Sequence, residues 1–357
     1  MKAICHKPKF IFLSVKRNLI PLAFCLFTIF LVIFSKSNLS AAKTGLVLWA
    51  NNVVPSLLPF FIATELLSHT NIVSKIGKLL NPIMRPIFNV PGCGAYAFIM
   101  GIISGYPIGA KIVTNFKEEG LCTNEEAERM LAFTNNSGPL FIIGTVGVTL
   151  FGNSLIGILL FITHLLACIS VGICFRFWKY KKTRKVKVHY TKLNPSTTTN
   201  NVHLSNLGEV LSKSIMSAIN SVIMIGGFVV LFSVILSILN TSNILQIIAQ
   251  MFTPIFKIFG ITNFKFSTAF VSGIIELTNG ASLICSIPCK TISINIILCA
   301  FLLGFGGISI LFQVFSITSK SKVSIKPYII GKFLQAIFAS TYTLLFINCF
   351  PIFNLNL

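Results

Sequence analysis

The sequence predicts an all-α polytopic membrane protein built as two inverted repeats with broken or re-entrant helices. Three observations carry that reading. The 357 residues are 54% hydrophobic and only 10% charged, with a mean hydropathy of +0.85, and several apolar runs reach the ~20 residues a helix needs to cross a bilayer. Gly and Pro interrupt some of those runs, as at Ser104-Gly105-Tyr106-Pro107 and Asn135-Asn136-Ser137-Gly138-Pro139. The two halves of the chain also match at a constant spacing.

The first apolar run, residues 19–34, follows Lys2, Lys7, Lys9, Lys16 and Arg17. A secretory signal has this order of regions, but the run is longer than a usual signal core. Ser35-Lys36-Ser37-Asn38 is also a poor cleavage site. Residues 1–44 are therefore expected to be a cytoplasmic N-terminus and a retained first span. A first repeat, 45–175, holds the apolar stretches 45–67, 95–113, 130–148 and 150–175. A linker, 176–210, carries Arg176, Lys179, Lys181, Lys182, Arg184, Lys185, Lys187 and Lys192, then turns rich in Asn, Ser and Thr. Such a segment reads as a flexible cytoplasmic connection. The second repeat, 211–357, holds the stretches 215–239, 244–260, 266–287, 292–317 and 328–350.

Charge and cysteine content exclude several classes. The net charge of +21 sits largely at the N-terminus and in the linker, where membrane proteins place cytoplasmic anchors. The bilayer is thus the expected partner, and nucleic acid is not. Ten cysteines form no CxxC pair. Cys168, Cys174, Cys285, Cys289 and Cys299 lie in or beside apolar runs and read as small buried residues. No HExxH or Cys/His cluster occurs, so neither metal nor cofactor is expected. All eight acidic residues are Glu. Without Asp or paired intramembrane carboxylates, the chain does not read as an enzyme. Five of the eight glutamates fall within residues 117–129. There Thr123 and Glu126 have the spacing of a capping box, predicting a solvated helix start.

The repeat is gap-free. Pro86-Ile87-Phe88 recurs as Pro254-Ile255-Phe256, a spacing of 254 − 86 = 168. At that spacing Gly92 meets Gly260, Phe98 meets Phe266, Ser104-Gly105 meets Ser272-Gly273, and Gly138 meets Gly306. Ala50, Asn52 and Phe60 likewise meet Ala218, Asn220 and Phe228. With the N-terminus inside, the stretch 45–67 starts outside and its counterpart after the basic linker starts inside. Inverted halves whose broken helices meet at the midplane recur among secondary transporters. A duplicated scaffold without transport is the alternative.

Two stretches resemble a known family. They are Gly101-Ile102-Ile103-Ser104-Gly105-Tyr106-Pro107-Ile108-Gly109-Ala110-Lys111 and Phe133-Thr134-Asn135-Asn136-Ser137-Gly138-Pro139. Thr163-His164, Glu276-Leu277-Thr278-Asn279-Gly280 and Gly306-Gly307-Ile308-Ser309 with Gln313 add to the likeness. The chain resembles the YlbJ-type sporulation integral membrane proteins (stage V sporulation protein V). These carry a nucleoside-recognition, or gate, domain distantly shared with concentrative nucleoside transporters. The resemblance implies a role in endospore formation and movement of dipicolinate, a small aromatic dianion, across the outer, mother-cell-derived forespore membrane. A nucleoside-type transporter and a non-transporting spore-envelope assembly protein are the alternatives.

For such a solute the expected binding residues are Ser104, Gly105, Tyr106, Asn135, Asn136, Ser137, Glu276, Thr278, Asn279 and Gln313. Broken helices offer free N–H groups and the positive end of a helix dipole to an anion. Asn amides can donate to carboxylates, or instead tie helices together. Glu276 stands in an apolar stretch, where a carboxyl group costs roughly 2.5–3.5 kcal/mol at the bilayer centre. It fits a coupling proton or cation, a carboxyl held neutral by burial, or a structural acid hydrogen-bonded to Thr278 or Asn279. Lys111 either attracts the anion or snorkels to the interface, and Glu65 reads as interfacial. Ser309 and Thr145 are secondary candidates for the lining. The oligomeric state is not encoded in any of these signals.

Overall fold

A computed structural model describes residues 8–180, 206–288, 293–319 and 321–349. Most of the basic linker lies outside the described residues, as does Cys289. The described chain is helical, without a strand, as a bilayer demands of a protein that must satisfy its backbone internally.

The N-terminal elements are α1 (Pro8–Ile33), α2 (Ser35–Leu48) and α3 (Val54–Ser68). A π-helical turn, Trp49–Val53, joins α2 to α3. The chain bends by 99° where α1 meets α2. Then come α4 (Ile72–Phe88), α5 (Cys93–Ser104), α6 (Ile108–Glu118) and α7 (Asn124–Thr134). A π-helical segment, Leu140–Leu150, and α8 (Ser154–Phe175) complete the first half. The second half is α9 (Leu207–Thr241), α10 (Ile244–Ile258), α11 (Phe264–Ile275), α12 (Leu277–Ser286), α13 (Ser293–Phe305), α14 (Gly307–Thr318) and α15 (Lys326–Cys349). Among the described residues, α8, α9, α15 and the stretch Ser293–Thr318 are each long and apolar enough to cross a membrane. Large apolar side chains such as Leu79, Met251 and Ile258 face outward, as lipid contact requires.

The 168-residue spacing holds for whole elements. Moved by that spacing, α4, α5, α6, α7, Leu140–Leu150 and α8 start within four residues of α10, α11, α12, α13, α14 and α15. The halves then interlock. Helix α15 packs on α7 and α8, and α9 runs along α2 and α3.

The interruptions have local causes. Helix α5 ends at Gly105, whose φ of 78° suits glycine, and Tyr106-Pro107 is a cis peptide. Helix α7 ends in extended backbone at Asn135. In the second half Gly273 stays inside α11, and the break moves to Glu276, in extended backbone. Gly306 adopts φ 85° between α13 and α14. The paired sequence positions Gly105 and Gly273 thus have different backbones.

Two expectations are corrected here. The segment after Thr123 does form the capping box, with Thr123 Oγ1 and Glu126 bonding each other's backbone N–H. Only its first residues are solvated, however: Asn124 is exposed, but Glu126, Glu128 and Arg129 are all buried. Polar partners make that burial tolerable. Arg85 donates to Glu126 at 2.8 Å, Lys179 and Trp178 donate to Glu128, and Arg129 donates to the carbonyls of Asn89 and Trp178. The cluster clamps α4, α7 and the end of α8 together. Glu126→Ala removes a cap and half of a buried pair, so it is expected to cost about 3 kcal/mol. Thermal unfolding in detergent would measure the loss. The second correction concerns cysteine. Cys168 and Cys299 are buried and Cys285 is half-buried, but Cys174 is exposed on the outer face of α8.

Candidate functional site

Three of the breaks converge on a partly open cavity of about 100 Å³. Gly105 and Tyr106 line it from the end of α5, and Ser137 and Gly138 from the break after α7. Glu276 and Thr278 contribute from the break before α12, and Ser309 and Gln313 from α14. Thr145, Phe141, Leu57 and Ile225 complete much of the wall. A wider groove of about 430 Å³ beside α10, lined by Gln250, Thr253 and Lys257 among others, contains none of the expected residues and lies open at the surface.

Six of the ten expected residues therefore share one cavity: Gly105, Tyr106, Ser137, Glu276, Thr278 and Gln313. The other four do not line it. Ser104 shares a hydrogen bond of 2.7 Å with Thr64. Asn135 accepts from the Ala110 N–H and donates to the Tyr328 hydroxyl, so it ties α7 to α6 and α15. Asn136 donates to the Phe133 carbonyl and accepts from Gln335 at 2.9 Å. Asn279 presents its backbone N–H to Glu276. Asn135 and Asn136 thus act as ties between helices in this conformation.

Glu276 has a double position. Its side chain faces the cavity and also caps α12, accepting from the N–H groups of Thr278 at 3.1 Å and Asn279 at 2.8 Å. The free N–H groups and positive dipole end of α12 are thereby spent on the protein's own carboxylate. An anion in the cavity must find its positive partner elsewhere.

The sequence reading missed one buried cation behind the cavity wall. Lys332 of α15 is 1% exposed. Its ammonium donates to Tyr106 Oη at 3.0 Å, Gln335 Oε1 at 2.8 Å and Asn136 Oδ1 at 3.5 Å. It also stands over the Tyr106 ring, 4.8 Å from the centroid. Gln335 Nε2 in turn lies 3.3 Å from His164 Nε2. The signal was available in two places. Tyr328, Lys332 and Gln335 share one helical face with Ala339 and Thr343, all buried. Lys332 also stands at the repeat spacing from His164 (332 − 164 = 168).

Lys111 and Glu65 pair with each other, and Ser217 of α9 bonds both. Their side chains are partly buried between the halves, so the lysine's charge is neutralised before it reaches the cavity. Among the described residues, no three of His, Cys, Asp and Glu converge to hold a metal ion.

The comparisons with known proteins fit this architecture. The family model for nucleoside recognition (gate) matches residues 50–175, the part that supplies Gly105, Tyr106 and Ser137. The chain is 36% identical over 321 residues to the sporulation integral membrane protein YlbJ of Bacillus subtilis (strain 168), covering 87% of this chain and 78% of that protein. The chain belongs to the YlbJ family of sporulation integral membrane proteins. It is accordingly a multi-pass integral membrane protein. Its cavity between interrupted helices lies partly within the gate region. No solved structure matches the chain.

Proposed function

We propose that this protein moves a small anionic solute, dipicolinate, across the outer forespore membrane. One observation carries the reading. In a chain of the YlbJ family, three backbone interruptions meet at one cavity whose mainly apolar wall carries several polar groups. Interrupted helices around a cavity are what a membrane protein tolerates where a solute or water satisfies the backbone. The domain scheme follows: residues 45–175 and 211–357 are two halves of opposite orientation, and alternating access arises from rocking one against the other. Glu276, as a cavity carboxylate, is the candidate for a coupling proton or cation.

The gate description favours a second reading, a nucleoside-type solute. Uptake into proteoliposomes separates the two. Labelled dipicolinate is expected to enter protein-containing vesicles faster than empty ones, with excess uridine having no effect. Uptake of uridine without uptake of dipicolinate would establish the second reading. Vesicles permeable to neither would leave an assembly role in the spore envelope.

A further inference from the structure

We propose that Lys332 is the counter-charge of the solute, acting on a carboxylate seated in the cavity at the hydroxyls of Tyr106 and Ser137. The inference rests on the reading of the solute as a small anion and names the group that recognises it. Its starting point is an imbalance. Lys332 is buried, and every acceptor around its ammonium is neutral: a tyrosine hydroxyl and two side-chain amides. Among the described residues no carboxylate forms an ion pair with it. Buried charges are normally paired, because desolvation costs several kcal/mol per ion. The cavity's own acid does not fill the gap, since Glu276 is engaged by the N–H groups of Thr278 and Asn279.

The link from Lys332 to the cavity is Tyr106. Its hydroxyl oxygen accepts from Lys332, the Ser137 side chain stands beside it, and its own proton reaches the Leu303 carbonyl at 3.4 Å. That is long for an O–H···O bond, which is usually about 2.5–3.0 Å. The proton is therefore available to a stronger acceptor on the cavity side, where Tyr106 forms part of the wall. Ser137 supplies a second sign. Ser137 is 2% exposed, its Oγ has no partner within hydrogen-bond distance, and it stands beside the Tyr106 hydroxyl in the same wall. A carboxylate placed there accepts one hydrogen bond from each hydroxyl. The chain from Lys332 through Tyr106 to the carboxylate is charge-assisted at both ends, which strengthens each bond. An uncharged solute of equal shape gains none of that.

The test uses the purified full chain and two probes of one shape, pyridine-2,6-dicarboxylate and the neutral pyridine-2,6-dicarboxamide. The wild-type protein is expected to bind the dicarboxylate more tightly, and Lys332→Gln to weaken that binding by about tenfold or more while leaving the diamide unchanged. Tyr106→Phe and Ser137→Ala are expected to weaken the dicarboxylate several-fold, and they hold even where the lysine variant does not fold. Unchanged dicarboxylate affinity in Tyr106→Phe and Ser137→Ala would overturn the seat alone, provided the wild type binds the probe. A wild type that ignores the dicarboxylate would overturn the anion reading itself.

Discussion

Gly101→Ala is expected to cost the protein about 3 kcal/mol and to reduce solute uptake to about a tenth or less. A Cβ on Gly101 would lie 1.8 Å from the carbonyl oxygen of Thr134, and one on Gly109 would lie 2.2 Å from the same atom. Two glycines from the two arms of the α5–α6 hairpin thus pinch the last carbonyl of α7. The obstacle is backbone, which cannot rotate away as a side chain can. Relief requires α5 to withdraw from the break that carries Ser137 and Gly138, so the damage reaches the cavity directly. Gly208→Ala is the control. No atom lies within 4 Å of its added Cβ, and alanine is the better helix former. Melting temperature in detergent and uptake in vesicles would both be read. Wild-type behaviour of Gly101→Ala would mean that α5 does not rest on Thr134 as described.

The second large effect is expected at Glu276, where two substitutions separate two roles. Glu276→Ala leaves the N–H groups of Thr278 and Asn279 without their acceptor, and loss of a cap costs about 1–2 kcal/mol. Glu276→Gln keeps an oxygen for the cap and removes only the charge. Its stability is expected to fall by less than about 1 kcal/mol, while uptake falls roughly tenfold if the carboxylate carries a coupling ion. A glutamine variant that transports at the wild-type rate would leave Glu276 with the cap alone. The pair of measurements therefore decides between coupling and capping without a structure of the bound state.

Much of the architecture was legible in the residues. Apolar run length, Gly105, Pro107 and Gly138 marked helices and breaks, and the 168-residue spacing reappeared as a matching order of elements. Tyr106, Ser137 and Glu276 were found because each interrupts an apolar run with a polar group. Asn135 and Asn136 were found by the same logic, yet their amides turn to α15 and its partners. Sequence periodicity gives a face of a helix but not the neighbour that face meets. Lys332 was missed for the opposite reason. It lies near the start of α15 and of the apolar stretch 328–350, where a lysine reads as an interfacial anchor.

By itself the sequence determined a helical membrane chain, duplicated, interrupted at defined points, and of the YlbJ kind, because hydropathy, Gly and Pro act locally and family motifs are local strings. Only the tertiary structure decided which polar groups share the cavity, that Glu276 spends its oxygens on α12, and that Lys332 stands behind Tyr106 with no acid paired to it among the described residues. Those facts depend on α15 crossing α7 and α8 some 200 residues away in the chain; Lys332 and Asn136 are 196 apart. A charge's partner is fixed by such crossings, which no local pattern encodes.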